Sequence, residues 1–199
     1  MGLYGVFLSS AVDGYVYDLD DNCYLDCLTG AATNNIGYGF SHVAETYASV
    51  ATTIPHTSFS YTPTIHSLEL ADRLTKLTPG SFSKKVLLGL CGSKSNEDAI
   101  EVAWKATGHP KLIRFEGSYL GATWLTKIAS GFIAGEGQVI PDSPFIALPF
   151  PRYPKDTEPI LTLIETHLKT GQIAGTILET ILSDGGALVP PVNFLKRVA

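Results

Sequence analysis

The stretch from Lys85 to Phe115 constrains this chain most. A short apolar run, Lys85–Leu90, leads into a turn, Gly92-Ser93-Lys94-Ser95. A helical pattern follows over Asn96–Thr107, with Ala99, Ala103 and Ala106 on one face, and then a second apolar run, Lys111–Phe115. Short apolar runs bounded by turn residues fit buried strands. The alternation continues: Phe145–Leu148 reads as a further strand, Ile160, Ile164 and Leu168 line a helix, and Ile173–Leu178 reads as the strand after it. Strand, helix, strand, helix, strand is the signature of an α/β fold.

Upstream the pattern changes. Tyr15–Leu28 reads as a β-hairpin: an alternating run, YVYD, a turn at Leu19-Asp20-Asp21-Asn22, and a returning CYLDCL. Asp and Asn favour such turns by bonding to their own backbone. GAATNNIGYGF has no period and reads as a loop. Val43, Tyr47, Val50 and Ile54 recur at helical spacing and end at Pro55. HTSFSYTPT is a second loop. Leu68, Ala71, Leu74 and Leu77 form another amphipathic stripe, closed by Pro79-Gly80. Two segments are therefore expected, an N-terminal hairpin and helix over 1–54 and an α/β portion over 55–199.

The turn after the Lys85–Leu90 run carries the clearest chemical suggestion. The first N–H groups of a helix have no partner within it, and the dipole there is positive. A Gly lets the backbone come close to a ligand, and a Ser hydroxyl adds a donor, so Gly92 and Ser93 fit a phosphate cradle. On spacing alone the alternative is a plain strand-to-helix turn with Ser95 as N-cap. No G-x-x-x-x-G-K-S/T and no G-x-G-x-x-G is present. The second turn, Gly117-Ser118-Tyr119-Leu120-Gly121, follows the Lys111–Phe115 strand. In an open α/β sheet ligands sit beyond the carboxyl ends of the strands, so both turns are expected to face one crevice. Tyr119 would offer a ring face there to a planar ligand; its alternative is an ordinary half-buried aromatic.

Composition excludes several classes. The net charge is -5 with scattered acids and no basic stripe, which leaves nucleic acid without an electrostatic footprint. No apolar run reaches the ~20 residues of a membrane span. Cys23, Cys27 and Cys91 make an odd count without a secretion signal, which argues for free thiols and a cytoplasmic location. Charged residues make up 17%, against about 25% in an average soluble domain. So lean a surface implies burial, inside the chain or against a partner.

The order of motifs resembles a known family. Tyr15–Asp26 matches the opening "vyD-dG-yLD" of class III aminotransferases, and Asn34–Gly39 matches their N-x-G-H-G loop. Tyr61 with LELADRLTKLTPG matches the segment before the phosphate strand. Cys91–Glu97 matches S-G-S-E-A-N-E, and Phe115–Gly121 matches f-x-g-S/A-Y/F-H-G. Glu179–Gly186 with Val189-Pro190-Pro191 matches E-P-x-x-G-D/E-G-G and its downstream V-P-P. The resemblance covers nearly the whole chain. It implies a fold type I, aspartate aminotransferase-like large domain, here incomplete, with an N-terminal β-hairpin segment. It implies pyridoxal 5'-phosphate as cofactor, an amino acid or amine and a 2-oxo acid as substrates, and a homodimer. Carried over residue by residue, it assigns Gly92 and Ser93 to the cofactor phosphate and Tyr119 to the pyridine ring. Glu179 falls near the cofactor and Asp184 beside the substrate. Without the resemblance, Glu179 reads as a strand-end residue in a salt bridge and Asp184 as a turn former.

The chain also departs from the family. Leu120 stands where the family has His, Lys94 where it has an acid, and Tyr38 where it has His. The family's acid for the ring nitrogen and its Schiff-base lysine lie beyond the V-P-P segment, whereas this sequence ends at Ala199, and neither Lys105 nor Lys196 matches a catalytic position. No catalytic residue is therefore assigned. The expectation is an aminotransferase chain truncated before its lysine and inactive alone, with an amino-acid racemase or epimerase of the same family, or a non-catalytic fragment, as alternatives. The resemblance further implies that strands outside this chain separate the Lys85–Leu90 strand from the one ending at Leu178.

Overall fold

The computed structural model describes residues 5–58, 61–131 and 143–199. The chain forms two compact units, Met1–Lys84 and Lys85–Ala199. The division falls thirty residues later than the boundary drawn from sequence, so 55–84 groups with the hairpin.

The first unit holds an antiparallel meander in the order β1-β2-β3: β1 (Leu8–Val12), β2 (Tyr15–Asp18) and β3 (Cys23–Leu25). The hairpin expected at Tyr15–Leu28 is the β2–β3 pair, with Tyr15 opposite Leu25. Asp18 closes its turn. Its Oδ1 accepts the N–H groups of Asp20 and Asn22, both at 2.9 Å, and its Oδ2 accepts Asn22 Nδ2 at 3.0 Å and the Tyr24 hydroxyl at 2.8 Å. These bonds, from Asn22 first and then Tyr24, bring its carboxyl down to about 2. Beyond β3 lies α1 (Thr29–Ala32), a single left-handed turn with positive φ throughout, inside the expected loop. Two regular helices follow, α2 (Ser41–Thr53), ending before Pro55, and α3 (Ile65–Leu77). Thr64 caps α3, its hydroxyl accepting the Ser67 N–H at 3.3 Å. Both apolar stripes form as read, but neither helix contains a buried residue.

The second unit is a three-layer α/β sandwich. Its elements are α4 (Gly92–Thr107), β4 (Lys111–Phe115), α5 (Trp124–Ser130), β5 (Phe145–Leu148), α6 (Thr157–Leu168), β6 (Ile173–Thr176) and α7 (Phe194–Val198). The strands pair in parallel in the order β5-β4-β6. Alternation along central β4 divides the core. Leu112 packs with Ile100, Leu120, Ala129 and Phe145 on the α4/α5 face. Ile113 and Phe115 pack with Leu148, Ile160, Ile164 and Phe194 on the α6/α7 face. Phe115 meets both Phe150 and Phe194 edge-on, with centroids 5.8 and 6.0 Å away.

Two local expectations need correction. The run Lys85–Leu90 forms no strand. Leu87 and Leu90 are exposed, Leu90 fully. A strand needs a neighbour for its N–H and C=O groups, and no described strand lies beside this one. Ser95 is not an N-cap either. The helix begins a turn earlier, with Cys91 as N-cap, and Ser95 Oγ lies inside the first turn, bonded back to the Cys91 carbonyl at 3.2 Å.

Candidate functional site

Because β4, β5 and β6 run parallel, their carboxyl ends share one edge, and the five residues singled out from sequence lie in segments linked there by hydrogen bonds. The α4 N-terminus supplies the first segment. The intrahelical ladder begins with the Ser95 N–H on the Cys91 carbonyl at 3.0 Å, which leaves the N–H groups of Gly92, Ser93 and Lys94 without intrahelical acceptors. A Cβ built on Gly92 would meet nothing within 4 Å, so there is open room over the first turn.

The Gly117–Gly121 turn is tied to that helix start by three bonds. Ser93 Oγ accepts the Ala122 N–H at 3.0 Å, Asn96 Nδ2 donates to the Leu120 carbonyl at 2.7 Å, and the Thr123 hydroxyl donates to Glu97 Oε1. Since Ser93 accepts here through oxygen, its own proton stays available for an acceptor. Gly121 makes the close approach possible: its φ is +136°, and a Cβ there would lie 2.6 Å from both Ser93 Oγ and Thr126 Oγ1. The turn is held from below by α5, where Thr123 and Thr126 form a capping box and Ser130 Oγ accepts the Leu120 N–H at 2.8 Å.

Tyr119 projects from this turn, 44% exposed. Its N–H donates to Glu179 Oε1 at 2.7 Å. Glu179 follows the end of β6, and its other oxygen accepts the Ser183 hydroxyl at 2.7 Å and the Ser183 N–H at 3.3 Å. The salt bridge read for it as the alternative is not among its contacts in the described residues. Asp184 comes next, exposed, in the turn that closes through Gly186 N–H on the Ser183 carbonyl at 3.1 Å. Beside these turns a cavity of about 240 Å³ is lined by Glu116, Gly117, Phe150, Arg152 and Gly185. Ser118 is buried, and its hydroxyl has no hydrogen-bond partner among the described residues.

The three departures from the family pattern each find a place. Leu120 turns inward, 4% exposed, into the core beside Ile100. Lys94 pairs with Asp98 one helical turn on, a bond that pushes its ammonium pKa up. Tyr38 donates its hydroxyl to Asp26 Oδ2 at 2.6 Å, which lowers the Asp26 carboxyl and raises the phenol. Sequence reasoning gave no role to Asn96, Glu97, Gly121 or Thr123, although the first three lay inside the quoted motifs; the polar residues of Cys91–Glu97 at one-turn spacing from Ser93 were the available signal.

No helix among the described residues is long and apolar enough to cross a membrane. Against known proteins, residues 3–199 match the family model for class-III aminotransferases. The chain is 32% identical to acetylornithine aminotransferase of Methanothermobacter thermautotrophicus, over 97% of this chain and 46% of that protein. It is 27% identical to isoleucine 2-epimerase of Lentilactobacillus buchneri, over 98% of this chain and 47% of that protein. The structure superposes with a TM-score of 0.86 on taurine:2-oxoglutarate aminotransferase of Bifidobacterium kashiwanohense, solved in complex with PLP and glutamate, at 23% identity and over 97% of this chain and 47% of that one. The chain spans about half the length of the curated relatives it matches. Its fold is that of the fold type I transaminases, and by the match along nearly all its length the chain belongs to the class-III aminotransferase family.

Proposed function

We propose that this chain builds the phosphate and ring side of a pyridoxal 5'-phosphate site in an aminotransferase, one that moves an amino group between an amino acid or amine and a 2-oxo acid. The observation that carries the reading is the joint at Ser93: a helix start with three N–H groups that lack intrahelical acceptors, a serine hydroxyl with its proton to give, and an aromatic turn locked against it. The cofactor, when bound, supplies an electron sink for the substrate's α-carbon. The chain's own residues do the holding. Gly92 and Ser93 receive the phosphate, where the helix N-terminus favours negative charge. Tyr119 would offer its face to the ring, Glu179 would stand near the cofactor, and Asp184 would lie on the substrate side. The residues 85–199 make up the cofactor-binding portion.

The residues present fit the phosphate and the ring. The isoleucine 2-epimerase match keeps racemisation as the second reading, since that protein is also among the most similar relatives; transamination is favoured by the number of aminotransferases beside it. A cytoplasmic location is supported by three exposed, unpaired cysteines. A homodimer is supported by the apolar side chains that α2 and α3 leave uncovered.

The test is a titration with pyridoxal phosphate followed by its visible absorption, with inorganic phosphate as competitor. Saturable binding that Ser93→Ala and Tyr119→Ala each weaken about tenfold is expected, the worth of roughly 1.4 kcal/mol. Binding indifferent to both substitutions would remove the reading. Borohydride trapping distinguishes the fragment alternative: one uniquely labelled lysine, with turnover of an amino donor, would show that the chain carries its own amine.

A further inference from the structure

We infer that Glu179 is a positioning residue, a carboxylate clip that fixes the Tyr119 turn against the Ser183–Gly186 turn, and not itself a contact to the cofactor. The inference rests on the proposed pyridoxal phosphate site and deepens it. Tyr119 and Glu179 are 60 residues apart in sequence, and they meet because β4 and β6 are neighbours with their carboxyl ends together. One oxygen holds the β4 side, through the Tyr119 N–H at 2.7 Å. The other holds the β6 side, through the hydroxyl and N–H of Ser183. Three protein donors thus occupy the two oxygens, Oε2 taking two and Oε1 one, so most of the carboxylate's roughly four acceptor positions are spent on holding the two turns.

The turn has need of such a clip. Gly117 has a φ of +80° and leads the chain out of the β4 ladder. The next three amides then find three unrelated acceptors: Ser118 the Phe115 carbonyl at 3.3 Å, Tyr119 the Glu179 carboxylate, and Leu120 the Ser130 hydroxyl. The Tyr119 bond is the charge-assisted one, the shortest and strongest kind an amide makes. It sits on the residue whose ring direction matters most, and the same carboxylate grips the residue before Asp184. A single side chain thus sets the spacing between the aromatic face and the substrate-side acid. The phosphate end is independent of it, since Ser93 is tied to Ala122 by its own bond.

That separation defines the experiment, made on the full chain with Glu179→Ala and Glu179→Gln. Glu179→Ala is expected to weaken pyridoxal phosphate binding about tenfold, the worth of one charge-assisted hydrogen bond, and to reduce the induced circular dichroism of the bound chromophore. Inorganic phosphate affinity is expected to stay within about twofold of the unsubstituted chain, well below the tenfold that 1.4 kcal/mol represents. Glu179→Gln keeps an oxygen for the Tyr119 N–H and is expected to restore most of the dichroism. Amide hydrogen exchange tests the clip without cofactor: Tyr119 N–H is expected to be protected in the unsubstituted chain and in Glu179→Gln, and to exchange freely in Glu179→Ala with the β4 amides unchanged. An equally protected Tyr119 amide in Glu179→Ala overturns the inference, as does loss of phosphate binding in parallel with pyridoxal phosphate. If the unsubstituted chain binds no pyridoxal phosphate, the proposed function falls, and the exchange result still decides the clip.

Discussion

At the residue scale the site depends on an absence. Gly121 lets the Tyr119 turn come down onto α4, and no side chain fits between it and Ser93. A methyl group there would force Ser93 Oγ or Thr126 Oγ1 aside, and the backbone angle of +136° is one that only glycine holds without strain. Gly121→Ala is therefore expected to cost about 1–3 kcal/mol in stability, to break the Ser93–Ala122 bond, and to weaken phosphate and pyridoxal phosphate together. Calorimetry and the phosphate titration read both effects. Gly92→Ala makes the contrast: its Cβ would enter open space, so the chain is expected to melt as before while only ligand binding falls. Much of this was visible in the sequence, because the glycines and serines of both turns stood out as turn chemistry. What stayed hidden was which atoms met. Nothing in the spacing of Ser93 and Ala122 says that one bonds the other, since the contact is made by the register of α4 against the sheet.

At the scale of elements, the strands and helices that find partners within the chain were legible, and the element that fails is the one that lacks them. Lys111–Phe115 and Phe145–Leu148 form to the residue as β4 and β5, since each is apolar, short and paired. Lys85–Leu90 carries the same apolar pattern and pairs with no strand among the described residues. Periodicity reports the burial a segment is suited to, and pairing depends on what lies alongside. The β2–β3 hairpin shows the opposite case, an element secured by its own turn. Asp18 has a folded pKa of about 2, against roughly 3.9 in an unfolded chain. A depressed carboxyl stabilises the folded form at pH values above the unfolded pKa, and that contribution is lost as pH falls through the folded value. The hairpin is accordingly expected to hold its full stability above about pH 4 and to lose the Asp18 share between about pH 4 and pH 2. Asp18→Asn is expected to flatten that part of the acid titration, followed through the Tyr24 ring resonances by NMR. A loss in the acid that is the same with and without Asp18 would assign it to other groups.

For the whole molecule, the decisive feature is apolar surface that the chain itself does not cover. On the second unit β6 has β4 on one side and no described strand on the other, and Leu87, Leu88 and Leu90 lie outside the core. On the first unit α2 and α3 present their apolar stripes to solvent, with Tyr47 and Leu77 largely exposed. Monomeric proteins seldom carry such patches, and a strand edge without a described neighbour is, like exposed leucines, a template for association. The sequence signalled this through its low proportion of charged residues before any contact was known. The chain is expected to self-associate as its concentration rises, with a broad thermal transition measured by light scattering and calorimetry. Leu87→Lys with Leu90→Lys places charge on the uncovered run while touching no residue of either core cluster. This pair is expected to lower the associated fraction severalfold with the far-UV circular dichroism unchanged. A sharp cooperative melt of a monodisperse monomer in the unsubstituted chain would count against this view, because it would require the exposed leucines and the free strand edge to be satisfied within a single copy.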